Sequence, residues 1–235
     1  METVHFRIHR KFAIQGGLVP YSLYVNGRFI GRIKNGETMN VDVPRADVYY
    51  LEAGPNIALE PNAVIREAAL SDHSITIITR GGWKTPSYSE FYMEQVDGSV
   101  RIPAFHFERL LRAVWNDRMH ELSEEERLLA LCLEFSTGIQ DDIQEVLSSE
   151  HFSGIMEALQ KIGAEKYVQL LQQILREFFP GVSLPLNDEQ IDRYRQSIEA
   201  ANRRIWKNEH AAWDELRCCM IGHITSKLCS SENLY

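Results

Sequence analysis

The sequence predicts an α+β protein, with a small N-terminal antiparallel β-sandwich followed by a C-terminal all-α helical bundle. Residues 1–97 carry alternating apolar residues and Asn-Gly pairs, whereas apolar residues recur with helical spacing after residue 105. The composition changes at "VDGSVRIPAF", residues 96–105, so the predicted domains are residues 1–98 and 104–230. A chain of 235 residues with 44% hydrophobic side chains is long enough for two domains of this size.

Short strands are predicted throughout the first half. Apolar and polar side chains alternate in "VHFRIHR", residues 4–10, which is the period of a half-buried strand. Two Asn-Gly pairs, Asn26-Gly27 and Asn35-Gly36, favour tight hairpins because both residue types tolerate positive φ. The two pairs therefore predict a meander of short strands. Further strand candidates are "DVYYLEA", "AVIREAAL", "SITIIT" and "FYMEQV".

One segment of this half resembles a known family. The stretch "LYVNGRFIGRIKNGETMNVDVPRADVYYLEA" is similar to PEGA-type domains, a family of small bacterial β-sandwich modules. The hairpin residues Val25, Asn26, Gly27 and Gly31 follow the family pattern, whereas residues 44–47 read Pro-Arg-Ala-Asp in place of the name-giving turn. The resemblance implies a binding or scaffold module without catalytic residues.

The second half is predicted to form six or seven helices. Ser123 and Glu126 form a capping-box pattern that starts one helix, and Gly138 is expected to end it. Gly163 interrupts the helical pattern of residues 155–175 and predicts a corner between two helices, because glycine adopts the left-handed conformation freely. Either Asn187 or Asp188 is expected to cap a later, long helix. Apolar spacing places three further residues on one helix face: Ile143, Val146 and Leu147.

A second resemblance covers roughly residues 105–228. The segment "MEALQKIGAEKYVQLLQQILREFFPG" is similar to a bacterial helical family of unknown function that includes a DNA-mimic protein. Where that family carries an Asn-Gly-Gly-Phe segment, this chain reads "FSTGIQDDIQEVL" and retains Gly138 alone. The resemblance implies a helical fold and a partner that normally binds DNA.

The negative charge is concentrated in one part of the chain. Residues 121–165 contain eleven acids and two bases, a net charge of −9, whereas the whole chain has a net charge of −8. Such a segment repels nucleic acid and attracts a basic protein surface. The alternative is a solvated helical face whose acids lie near helix starts and stabilise the helix dipole. The candidate partner-binding acids are Glu134, Asp141, Asp142, Glu145, Glu150 and Glu157.

A second candidate surface is aromatic. The stretch "GGWKTPSYSEFY", residues 81–92, holds Trp83, Tyr88 and Tyr92 among glycine and serine residues. Aromatic side chains on a loop form binding surfaces for protein or sugar. The same residues equally suit one edge of a sandwich core.

No pattern in the sequence predicts a cofactor, a metal ion or a catalytic residue. The chain lacks a G-x-S-x-G elbow, a phosphate-binding glycine loop and an H-E-x-x-H helix. Cys219 and His223 are four residues apart and would share a helix face, but no second pair completes a zinc site. The four cysteines are expected to be buried, reduced thiols.

These observations predict a non-enzymatic interaction protein that is cytoplasmic and is a monomer or homodimer. No apolar run suits a signal peptide or a membrane span, and residues 232–235 match the start of a protease-cleavage tag. The predicted partner is a basic, DNA-binding protein, which would make the chain a DNA-mimic-like regulator with no direct contact to nucleic acid or membrane. The alternative is an enzyme of unknown reaction with a site at the domain junction.

Overall fold

A computed structural model of the chain confirms the predicted α+β class, with a strand-rich first part and a helical second part. One compact unit comprises residues 1–107 together with the segment that begins at Ile224, and the other is Glu108–His223. The structure describes residues 2–14, 19–54, 63–66, 74–82, 85–95, 98–102, 107–206 and 209–228.

The first unit contains nine described strands in two sheets. They are β1 (Thr3–Arg10), β2 (Tyr21–Val25), β3 (Arg28–Ile33), β4 (Thr38–Pro44), β5 (Val48–Gly54), β6 (Ala63–Arg66), β7 (Ser74–Gly82), β8 (Thr85–Gln95) and β9 (Gly98–Arg101). One sheet has the order β4-β1-β7-β8-β9 and the other β3-β2-β5-β6. The β1–β7 pair is parallel, and the remaining described pairs are antiparallel.

The two sheets enclose one apolar core, which confirms the predicted sandwich. Val4, Phe6 and Ile8 of β1 are buried, as the alternation in the sequence predicts. The Phe6 ring meets the edge of Tyr49, from the opposite sheet, with 5.0 Å between ring centroids. Side chains from both sheets therefore interdigitate, as in other face-to-face sheet packings.

The two Asn-Gly pairs have different roles. Asn26 and Gly27, at φ values of 48° and 76°, join β2 to β3 in the predicted hairpin. The second pair lies between β3 and β4, which belong to different sheets, so the predicted meander is wrong at this point. The reason is tertiary: the Asn35 side-chain amide bonds both the backbone N–H and the C=O of Ala13, and so ties the turn to the loop after β1.

The second unit is helical. Its helices are α1 (Phe107–Trp115), α2 (Glu124–Asp141), α3 (Ile143–Ser148), α4 (Phe152–Lys161), α5 (Glu165–Phe178), α6 (Asp188–Trp206) and α7 (Glu209–His223), with a short 3-10 turn at Met119–Glu121. Phe107, the first residue of α1, is assigned to the first unit, as is the π-helical segment Ile224–Leu228 that continues α7.

Local capping residues define the starts of two long helices. Ser123 Oγ accepts a hydrogen bond from the Glu126 N–H at 3.3 Å, and Glu126 Oε2 accepts one from the Ser123 N–H at 3.0 Å, so the predicted capping box is confirmed. Asn187, one of the two predicted alternatives, caps α6 because its Oδ1 accepts the Gln190 N–H at 2.9 Å.

Gly163 forms the predicted corner between α4 and α5. Its φ is +76°, its N–H donates to Gln160 O at 3.0 Å, and the Ala164 N–H donates to Leu159 O at 2.8 Å. These two bonds are those of a Schellman motif, which ends a helix by means of a left-handed residue.

Gly138 does not end α2, and that prediction was wrong. The helix continues to Asp141 with Gly138 buried inside it. A Cβ atom at Gly138 would lie 3.1 Å from Val146 Cγ2, closer than side chains normally approach. The glycine therefore permits a close approach of α3 to α2.

Candidate functional site

Four acids around the start of α2 are each paired with a nearby cation or imidazole. Arg118 donates from Nε and Nη2 to Glu121 at 2.7 and 2.6 Å, and these hydrogen bonds lower the pKa of the Glu121 carboxyl. The remaining pairs are Glu124 with Lys161, Glu125 with His223, and Glu126 with Arg109. This part of the acidic segment is therefore largely neutralised within the unit, which fits the solvated-face alternative.

Asp142 has a structural position. Its Oδ1 accepts the Gln144 N–H at 2.8 Å, which caps α3, and also accepts Asn202 Nδ2 at 2.9 Å. The Asn202 Oδ1 in turn accepts the Ile143 N–H at 2.9 Å. Asp142 therefore connects the α2–α3 junction to α6 and does not lie with the exposed acids.

Three exposed acids lie on three different helices. Among the residues that the structure describes, Asp141, Glu157 and Glu165 form no ion pair, and they do not line the cleft that α1, α2 and α3 form. Of the six predicted partner-binding acids, Asp141 and Glu157 are therefore separate from the remaining carboxylates.

The other three predicted acids, Glu134, Glu145 and Glu150, come together in one cleft of about 320 Å³ in the helical unit. The end of α1, the middle of α2, α3 and the α3–α4 connection line this cleft. We call it the acidic cleft, and the lining residues that matter chemically are Trp115, Glu134, Glu145, Ser149, Glu150 and His151.

The local sequence explains why these carboxylates meet. Gly138 allows α3 to approach α2, which brings Glu145 towards the part of α2 that carries Glu134. The α3 helix ends at Ser148, and the short connection to α4 then places Ser149 and Glu150 at the same cleft. The convergence thus depends on a close helix contact and a short turn, which bring together residues up to sixteen positions apart.

Glu134 is the most constrained of the three carboxylates. Ser149 Oγ donates to Glu134 Oε1 at 2.5 Å and accepts the His151 N–H at 3.0 Å. The second oxygen, Oε2, is buried and accepts no hydrogen bond from any residue in the described part of the chain. A buried acceptor without a donor costs about 1–3 kcal/mol, which the packing around Glu134 has to offset.

Trp115 adds an aromatic group to the cleft. It is the last residue of α1, and 67% of its surface is exposed although the neighbouring Leu110 and Ala113 are buried. An indole ring beside carboxylates favours the binding of a cation, because the face of the ring and the carboxylates both attract positive charge. Trp115 is not among the residues predicted from the sequence, although its position beside the apolar stripe of α1 was a usable signal.

The predicted aromatic surface is only partly within the described residues. Tyr92 is half-buried on β8 and donates from its hydroxyl to Glu90 Oε2 at 3.0 Å, whereas the adjacent Phe91 points into the sandwich core. Trp83 lies outside the described residues, as does the side chain of Tyr88. A shared aromatic surface therefore stays a prediction.

The described ranges contain neither a metal-ion site nor a membrane-spanning helix. No group of three or more His, Cys, Asp or Glu side chains is placed there to hold a metal ion. In those ranges no helix combines the length and the apolar character required to cross a bilayer. Cys219 Sγ donates to Gly163 O at 3.5 Å, so this thiol lies against the α4–α5 corner.

Comparison with protein-family models, with curated proteins and with solved structures finds no significant match for this chain. The two resemblances described above therefore rest on the sequence motifs that carry them.

Proposed function

We propose that this protein is a non-enzymatic interaction protein whose helical unit binds a basic protein surface. A lysine or arginine side chain of the partner enters the acidic cleft, its charge lying between the carboxylates of Glu134, Glu145 and Glu150 and the ring of Trp115. The single observation that carries this proposal is that the side chains of Glu134, Glu145 and Glu150 line one cleft together with Trp115.

The distribution of charge supports local recognition of a cation. The acids at the start of α2 are paired within the unit. Among the described residues, Glu134 and Glu145 of the cleft form no ion pair, and Glu150 lies 4.0 Å from the imidazole of His151. A guanidinium or ammonium group supplies several N–H donors and a positive charge, whereas a neutral apolar side chain would leave the carboxylates unpaired.

The sharper form of the proposal is a DNA-mimic-like regulator that binds a DNA-binding protein. The supports are the net charge of −9 in residues 121–165 and the resemblance of the helical half to a family that includes a DNA mimic. Because the acids at the start of α2 are paired, the surface available to such a partner is the acidic cleft and not a long row of unpaired carboxylates. The enzyme with a site at the domain junction stays the alternative prediction.

A defined cationic probe tests the proposal. The full chain is titrated with a fluorescein-labelled oligoarginine peptide, and binding is followed by fluorescence anisotropy at low and at physiological salt. Glu134→Gln and Trp115→Ala are each expected to weaken binding by about tenfold, since roughly 1.4 kcal/mol corresponds to one decade in Kd. The affinity is expected to fall as salt is added, because counter-ions screen the carboxylates.

Glu157→Gln is the matched control, because it removes one exposed negative charge outside the cleft. This variant is expected to change the affinity less than twofold. Equal losses of affinity for Glu157→Gln and Glu134→Gln would mean that the peptide is attracted by the overall negative charge of the chain. The cleft would then not be the binding site. An affinity that does not respond to salt would also contradict the proposal.

A further inference from the structure

Three described residues between β1 and β2 expose large apolar side chains. The described chain has five large apolar side chains that are strongly exposed, and three of them lie in the loop between these two strands. Ile14 is 92% exposed, Phe12 71% and Val19 48%. We call these three residues the apolar tip. Single exposed apolar residues are common on protein surfaces, but several in one short loop indicate a contact surface.

Polar contacts hold the loop to the sandwich at both of its ends. Near the start, the Asn35 side chain accepts the Ala13 N–H at 2.9 Å and donates to Ala13 O at 2.8 Å. Near the end, the fully buried Arg10 stacks on the Tyr21 ring at 3.5 Å and donates to Val19 O at 2.9 Å. The backbone on which the apolar tip lies is therefore bonded to the sandwich at Ala13 and at Val19.

Basic residues predominate in the described sequence around the apolar tip. Residues 3–36 contain six Lys and Arg residues and no acid. Lys11, Arg32 and Lys34 are exposed at the end of the sandwich where β1 and β3 finish and β2 begins. The nearby Glu37 uses its carboxylate within the β3–β4 turn, where Oε2 accepts the Lys34 N–H at 2.6 Å.

We propose that the apolar tip inserts into the surface of an anionic lipid bilayer while Lys11, Arg32 and Lys34 contact the headgroups. Interfacial binding of this kind combines buried apolar area with attraction between basic residues and anionic lipids. Basic side chains beside exposed apolar ones match a bilayer surface, which offers anionic headgroups over an apolar interior. Nucleic acid is disfavoured because Ile14 and Val19 have no ring on which a base stacks.

This contact lies on the surface of a bilayer and does not span it. It departs from the sequence-based expectation of no membrane contact, and it is independent of the acidic cleft because it uses residues of the other unit.

Co-sedimentation of the full chain with vesicles tests the proposal. Vesicles of phosphatidylcholine alone are compared with vesicles containing phosphatidylglycerol, at low and at high salt. The chain is expected to sediment with the anionic vesicles and to bind the neutral vesicles at least tenfold more weakly. The double variant Phe12→Ser with Ile14→Ser is expected to lower binding to the anionic vesicles at least tenfold. The double variant Lys11→Glu with Lys34→Glu is expected to lower this binding to a similar extent.

Phe29→Ser is the matched control, because Phe29 is 55% exposed and lies beside the Asn26-Gly27 turn at the opposite end of β2 and β3. It is expected to leave vesicle binding unchanged, and unfolding curves confirm that each variant folds. Binding to neither type of vesicle would overturn the proposal, as would an equal loss in the Phe29 variant. A concentration-dependent dimer that Ile14→Ser abolishes would instead assign the apolar tip to a second copy of the chain.

Discussion

Ser149 Oγ lies 2.5 Å from Glu134 Oε1 and donates a hydrogen bond that joins the α3–α4 connection to the middle of α2. Because this bond engages one carboxylate oxygen, it fixes the orientation of the other. The same bond thus contributes to the fold of the helical unit and to the chemistry of the acidic cleft.

Removing the Ser149 hydroxyl is expected to destabilise the helical unit. Ser149→Ala leaves both oxygens of the half-buried Glu134 without a protein donor, so the free energy of unfolding is expected to fall by about 1–3 kcal/mol. Urea unfolding followed by circular dichroism measures this change. Ser148→Ala is the control, because the Ser148 hydroxyl donates only to Glu145 O within the same helical turn, at 3.4 Å. Equal losses of stability in the two variants would show that the Ser149–Glu134 hydrogen bond contributes no more than an ordinary exposed hydroxyl.

Asn202 is expected to be among the most sensitive polar positions in the helical unit. It is 8% exposed and bonds both Asp142 and the Ile143 N–H. Asn202→Ala leaves the buried Ile143 N–H without its acceptor and removes one of the two hydrogen bonds to Asp142 Oδ1, so a loss of about 1–3 kcal/mol in the free energy of unfolding is expected. Asn116→Ala, at an exposed asparagine that bonds Arg112 O, is expected to cost about 0.5 kcal/mol or less. A small effect at Asn202 would contradict the role given to this bridge.

Alanine substitutions at two glycines, Gly163 and Gly222, are expected to change the free energy of unfolding in opposite directions. Gly163 has a φ of +76° and free space where a Cβ would lie, so Gly163→Ala is expected to cost about 1–2 kcal/mol through backbone strain alone. Gly222 lies inside α7 with similar space, so Gly222→Ala is expected to stabilise by about 0.5–1 kcal/mol. Thermal unfolding of the two variants measures both values. A neutral Gly163→Ala would argue against the helix corner.

Thiol reactivity is expected to follow burial. Burial raises the pKa of the Cys132 thiol far above its usual range, and burial followed by the charge of Glu215 raises the pKa of Cys219. Because the thiolate is the reactive form, iodoacetamide at pH 8 is expected to modify the exposed Cys218 first and Cys132 only after unfolding. Peptide mass mapping over time gives the order. Rapid labelling of Cys132 in the folded chain would contradict its burial.

Local patterns in the sequence were sufficient where neighbours along the chain decide the structure. The alternation of Val4, Phe6 and Ile8 identified β1, and the Ser123–Glu126 pair identified the start of α2. Gly163 was identified for the same reason, since a helix end requires a left-handed residue whatever packs around it. In each case the relevant atoms lie within a few residues of one another.

Patterns failed where a distant segment decides. Asn35-Gly36 was predicted to form a hairpin, but the Asn35 amide bonds Ala13 and the chain crosses to the other sheet. Gly138 was predicted to end a helix, but it is the point at which α3 packs against α2. A pattern of neighbouring residues in the sequence does not show which distant segment will contact a given residue in the fold.

The sequence by itself determined the α+β class, the Gly163 corner and the concentration of acids in residues 121–165, because each depends on composition or on short-range geometry. Only the tertiary structure decided which acids are paired, which one bridges helices, and which three meet in the cleft. The reason is that the fate of a carboxylate depends on the donors within a few ångströms of it, and packing brings those donors from distant parts of the chain.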